Sequence, residues 1–177
     1  MTRTERPILI AMAISAAALA AAFFFEFAMG FRPCQLCITQ RWAHVLVLLA
    51  GFVHLLAAGI IRGRAGTPVR RRIGMATAGL GLAASFDVIG WAIFHAGAEW
   101  RFWPGPASCS GGTRLGALSG AELLDFSTPA AAVSCADPAW VFLGLSMAGW
   151  NALIGAGLAS LFLARLLRLT KTSKAVG

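Results

Sequence analysis

Four cysteines fall in two groups: Cys34 and Cys37 bracket Gln35-Leu36 as a C-x-x-C directly after Pro33, while Cys109 and Cys135 stand far from each other. Cysteines can exchange disulfides, hold a metal or brace loops. A C-x-x-C closes so short a loop that bracing the fold gains little from it, which favours redox work. Four cysteines allow three pairings, and the sequence does not choose among them. A zinc ribbon brings two closely spaced pairs, which Cys109 and Cys135 do not supply, so no resident metal is expected. Haem attachment requires His after the second cysteine, where Ile38 stands. The βαβ pattern of a thioredoxin fold is absent too.

The elements that must position these cysteines are set by lipid. Of the 177 residues, 58% are hydrophobic and 12% charged, and mean hydropathy is +0.75. Crossing about 30 Å of hydrocarbon takes roughly 20 apolar residues. Four runs qualify: Ile8 to about Met29, about 38–61, Ile73 to about His95, and Trp140 to Leu167. The fold class expected is an all-α membrane protein, one four-helix transmembrane bundle over 1–177. The first run follows Arg3 and Arg6 as a signal peptide would, but it is too long for a signal core and a second span follows at once. A short loop, about 30–37, and a long one, about 96–138, join the spans on one side. In the long loop Pro104-Gly105-Pro106 and Gly111-Gly112 read as turns. There Ser119-Gly120-Ala121-Glu122 ahead of Leu123, Leu124 and Phe126 reads as a capping box opening a short surface helix.

The net charge of +8 could suggest nucleic acid, but the basic residues sit between apolar runs, not on one soluble face. They are topology signals. Eleven Lys and Arg lie on the side of the termini and of the Arg62–Arg72 loop, against four on the other. The excess marks the cytoplasm, which puts all four cysteines outside, where disulfides persist. Trp100, Trp103 and Trp140 suit an interfacial belt at that end. Cys37 opens the second span, where the helix dipole favours a thiolate by about 0.3–1 kcal/mol. Arg41, one turn on, adds positive charge on the same face.

Arg32-Pro33-Cys34-Gln35-Leu36-Cys37-Ile38, then Arg41, Trp103-Pro104, Ser108-Cys109, Ser134-Cys135-Ala136-Asp137, Trp140 and Phe142-Leu143-Gly144-Leu145-Ser146-Met147 resemble the disulfide bond formation protein B (DsbB) family of bacterial inner-membrane thiol oxidases. The resemblance covers essentially the whole chain. It implies that a reduced periplasmic DsbA-like thiol protein attacks a Cys109–Cys135 disulfide at Cys109. Electrons then pass to Cys34–Cys37 through a transient Cys34–Cys135 link, and Cys37 hands them to ubiquinone or menaquinone, with Arg41 stabilising the thiolate–quinone adduct. By the same analogy His95 is a candidate for the quinone site; His44, three residues beyond Arg41, is by its spacing either a second candidate or a satisfied bundle histidine. Thr39 and Gln40 depart from the pattern, standing where the best known member has an aromatic and an acidic residue.

Asp87 lies deep in the third span, where an ionisable group costs roughly 2.5–3.5 kcal/mol to insert, so a structural partner is expected. Glu26 is read as closer to the interface, and His54 falls within the second span. Gly74, Ala78, Gly79, Gly81 and Ala83-Ala84 are read as small residues for close helix packing. Two other readings stay open: a protein whose disulfides only brace its outer loops, and a vitamin K epoxide reductase-like oxidase, which places its C-x-x-C after a different order of spans.

Overall fold

The computed structural model describes residues 5–61, 67–106, 109 and 133–174. Four helices carry the architecture: α1 (Arg6–Phe27), α2 (Gln35–Ile61), α3 (Thr67–Glu99) and α4 (Met147–Lys174). All four are long and apolar enough to cross a membrane. They pack in ring order, α1 on α2, α2 on α3, α3 on α4 and α4 back on α1, with the thinnest seams at α1. The four-helix bundle expected from the apolar runs is therefore present. The capping-box segment at 119–126 and the Gly111-Gly112 turn lie outside the described residues.

Lipid offers helices no hydrophobic drive to associate, so shape and small residues must hold them together. Ile8, Ala11, Ala43, Val47, Val88, Leu158 and Phe162 form the central core, with Met12, Leu82 and Ile154 against it. On α1 the buried residues Ile8, Ala11 and Ser15 recur at helical spacing. Phe162 is fully buried and its ring lies where a side chain on Gly81 would stand. Gly81→Ala is therefore expected to destabilise the α3–α4 seam by about 1–3 kcal/mol, read as a lower midpoint in detergent unfolding. Phe24, Trp42, Leu49, Phe86 and Leu163 point outward, as suits lipid.

Several boundaries differ from expectation: α2 opens at Gln35 and α4 runs on to Lys174, and three others differ for a local reason. The third helix opens at Thr67 and takes in Arg70, Arg71 and Arg72, which had been assigned to a loop. Pro68 in its first turn has the φ a helix needs, and Arg71 Nε donates to the Leu169 carbonyl at 2.9 Å, tying the turn to α4. At its far end α3 runs past His95 to Glu99. There it closes in a Schellman motif, with Arg101 left-handed at φ 61° and the Phe102 and Arg101 amides bonded to the Gly97 and Ala98 carbonyls.

The fourth helix opens at Met147, not Trp140. Residues Val141–Phe142 (β1) and Leu145–Ser146 (β2) pair antiparallel. Leu143 and Gly144, at φ 51° and 79°, make the two-residue left-handed turn that matches strand twist and breaks any helix. Ser146 then caps α4 by accepting the Gly149 amide at 3.1 Å.

Candidate functional site

Cys34 sits at the mouth of α2 as its N-cap. Its carbonyl accepts the Ile38 amide at 3.2 Å, and its sulfur accepts the Cys37 amide at 3.2 Å. The Cys34 and Cys37 sulfurs lie 2.7 Å apart, as free thiols. Cys34 is buried and Cys37 half-buried. The hydrogen bond with Cys37, then burial, push the Cys34 thiol well above the usual thiol range. The direction of that shift keeps Cys34 protonated at neutral pH. Brief alkylation of the reduced chain at neutral pH is therefore expected to label Cys37 and spare Cys34, read by peptide mass mapping; equal labelling would contradict it.

Cys109 and Cys135 form a disulfide with Cα atoms 5.2 Å apart. Both are buried against Cys34 and Leu36, with Phe94 and Val133 alongside, and Gly105 faces the bridge. Trp103 holds the chain there by donating its indole N–H to the Phe94 carbonyl at 2.9 Å. The Cys34 sulfur, the Cys135 sulfur and a His95 ring nitrogen all lie within 4.8 Å of one another. His95 Nε2 is 3.6 Å from the Cys34 sulfur. The trio could hold a thiophilic cation only if the Cys109–Cys135 bond were reduced, because a bridged sulfur has lost its thiolate.

Below Cys37, where α1 packs least closely, a cavity of about 230 Å³ opens between α1, α2 and α4. Phe25, Phe31, Trp140, Met147 and Ile154 give it apolar walls; Cys37, Gln40, Arg41, His44, His95 and Asn151 converge on it. Arg41, Cys37, His95 and His44, named from the sequence for one ligand, thus share a single cavity. Arg41 does not stand there as a free charge. Its guanidinium pairs with Glu26 of α1, donates to the Ala22 carbonyl at 3.3 Å and lies 5.0 Å over the Phe23 ring. Glu26 is therefore part of the site, which a reading of it as interfacial misses.

A chain of polar side chains crosses all four helices beside the cavity. His44 Nδ1 faces Ser15 Oγ at 3.3 Å and His44 Nε2 faces Asn151 Oδ1 at 2.8 Å. Asn151 Nδ2 donates to Gln40 Oε1 at 2.6 Å, and Gln40 Nε2 stands 2.7 Å from His95 Nδ1. Beyond His95, Glu99 Oε1 is 3.8 Å from Nε2, and Glu99 also accepts from Ser146. Gln40, Asn151 and Ser15 carry no short motif, and only the bundle brings them together. By contrast His54 bonds Thr77 at 2.7 Å, well away from the cysteines. Asp87, half-buried, has no partner among the described residues, against expectation.

Four membrane-spanning helices that hold a C-x-x-C beside a second, bridged cysteine pair define a membrane thiol–disulfide protein. Residues 4–165 match the family of the disulfide bond formation protein DsbB. The disulfide bond formation protein B of Methylococcus capsulatus is 34% identical over 149 residues, 80% of this chain and 81% of that one. The protein of the same name from Stutzerimonas stutzeri is 34% identical over 166 residues, 90% and 92% of the two chains. No solved structure matches. The chain belongs to the DsbB family of multi-pass membrane oxidoreductases.

Proposed function

We propose that this chain reoxidises a periplasmic DsbA-like thiol protein and passes the electrons to membrane quinone. The observation that carries the reading is the approach of the Cys34 and Cys135 sulfurs, within 4.8 Å, beside a cavity that Cys37 lines. In this scheme a thiolate of the reduced partner attacks Cys109, forming a mixed disulfide and releasing Cys135 as thiolate. Cys135 attacks Cys34 of the oxidised Cys34–Cys37 pair, making a Cys34–Cys135 bond and expelling Cys37 as thiolate. The partner's second thiol then closes the partner's own disulfide and frees Cys109. Attack of Cys109 on Cys135 restores the Cys109–Cys135 bridge and leaves Cys34 and Cys37 as a dithiol. Closing that dithiol again gives up two electrons and two protons.

A quinone, when bound, accepts those two electrons and two protons. The cavity fits such a ring: its 230 Å³ exceeds the roughly 150 Å³ that admits benzene, and its walls are apolar with a few convergent polar groups. Cys37 is the sulfur that faces the cavity, Arg41 supplies positive charge there, and His95 and His44 supply ring nitrogens. The excess of Lys and Arg at the termini and the α2–α3 connection supports a bacterial inner-membrane location with both termini cytoplasmic and the cysteines periplasmic.

The test is turnover by the purified chain in detergent, supplied with a reduced thioredoxin-like periplasmic protein and ubiquinone or menaquinone. The expected result is one quinol per partner disulfide formed. A folded, oxidised sample that reduces neither quinone would return the cysteines to a bracing role.

A further inference from the structure

With the Gln40 and Asn151 amides placed as they are, the polar chain beside the cavity runs in one direction. An amide nitrogen only donates and an amide oxygen only accepts. Gln40 Nε2, 2.7 Å from His95 Nδ1, must therefore donate to it, which leaves Nδ1 without a proton. Asn151 Nδ2 donates to Gln40 Oε1, in keeping with that direction. Asn151 Oδ1 in turn requires a proton on His44 Nε2, and Ser15 can then donate to the bare His44 Nδ1. Gln40 and His95 are 7% and 5% exposed, so water is poorly placed to replace a partner, and an unmet polar group there would be costly.

We propose that Gln40, oriented by Asn151, is a positioning residue that fixes His95 as the tautomer protonated at Nε2, so that a permanent N–H donor faces the Cys34 and Cys135 sulfurs. The proposal rests on the exchange between those two cysteines set out above. During that exchange negative charge moves from the attacking Cys135 sulfur across Cys34, and the His95 nitrogen lies within 4.8 Å of both. A donor held there beforehand stabilises that charge without reorganising. The other nitrogen of the ring is spent on Gln40. Residue 40 touches neither sulfur in this scheme and acts only through His95.

The experiment uses the full chain in detergent, labelled with ¹⁵N-histidine, and reads each ring's tautomer from its nitrogen shifts and two-bond proton correlations. The expected result for the unaltered chain is a proton on Nε2 and none on Nδ1 of His95, with His44 the same. Gln40→Glu places an acceptor at Nδ1, so that nitrogen is expected to gain a proton. Gln40→Met removes the donor, so both tautomers should appear, and formation of the Cys34–Cys135 link after mixing with a reduced partner, trapped by acid and mapped by mass, should slow about tenfold to a hundredfold, the loss of one hydrogen bond to a charged group. A His95 already protonated at Nδ1, or one indifferent to both substitutions, overturns the proposal. So does a shifted tautomer with an unchanged rate of linkage. A correct tautomer in a chain that never forms the link overturns the exchange reading instead, because the nitrogen shifts do not depend on turnover.

Discussion

Cys34→Ser and Cys37→Ser are each expected to cut quinone reduction by more than roughly a thousandfold, as loss of a reacting atom does, while leaving a folded bundle. Serine is a better N-cap than cysteine, so the substitution at 34 keeps the start of α2 intact and the loss is chemical. The two variants should then part company. With Cys37 gone, attack of Cys34 on the nearby Cys135 yields a Cys34–Cys135 bond and a free Cys109 thiol. That species should accumulate in Cys37→Ser and be missing from Cys34→Ser, as seen by mass mapping after thiol trapping. Helical circular dichroism should match in both. Normal turnover in either variant would remove Cys34–Cys37 from the electron path.

Arg41→Ala is expected to lower kcat/KM for quinone by roughly a hundredfold, the scale of losing one charged group aimed at a reacting centre. Formation of the Cys34–Cys135 link with the protein partner should change little. The pairing with Glu26 adds a second effect. Removing the guanidinium leaves a half-buried carboxylate without its counter-charge, at a cost of about 1–3 kcal/mol in stability. Arg41→Ala combined with Glu26→Gln should recover most of that stability and none of the quinone reduction. Steady-state kinetics with varied quinone, beside unfolding midpoints for both variants, separates the two roles. An unchanged KM and kcat in Arg41→Ala would exclude the arginine from acceptor chemistry.

What the sequence made legible follows from what is local. Apolar runs long enough for lipid are visible one residue at a time, so four helices could be read with their order. The C-x-x-C at the start of α2 was equally plain, and Arg41 and His44 follow it at helical spacing. The Leu143-Gly144 turn and the Ser146 cap were also local signals, yet they were swallowed by an apolar stretch that reads on through Trp140. Glu26 and Asn151 were not legible as site residues, and Gln40 was marked only as a departure from the family pattern. Each is an ordinary polar residue on its own helix, and its meaning comes from partners 15, 55 and 111 positions away. Glu99 is similar: it faces the site only because α3 continues past His95 to a Schellman end.

The aromatic end of the bundle bears on how the protein floats. Trp100, Phe102, Trp103, Phe142 and Leu143 are exposed around the rim that carries the cysteines, two of them at the hairpin turn. Rings of this kind rest at the headgroup boundary and act as a waterline. The other end carries arginines, whose long stems reach the surface from a range of depths. Thicker or thinner lipid should therefore be absorbed by tilt and by the arginine end, while the height of the cysteines above the hydrocarbon stays constant. A soluble partner would then meet the reactive sulfurs at the same elevation in every membrane.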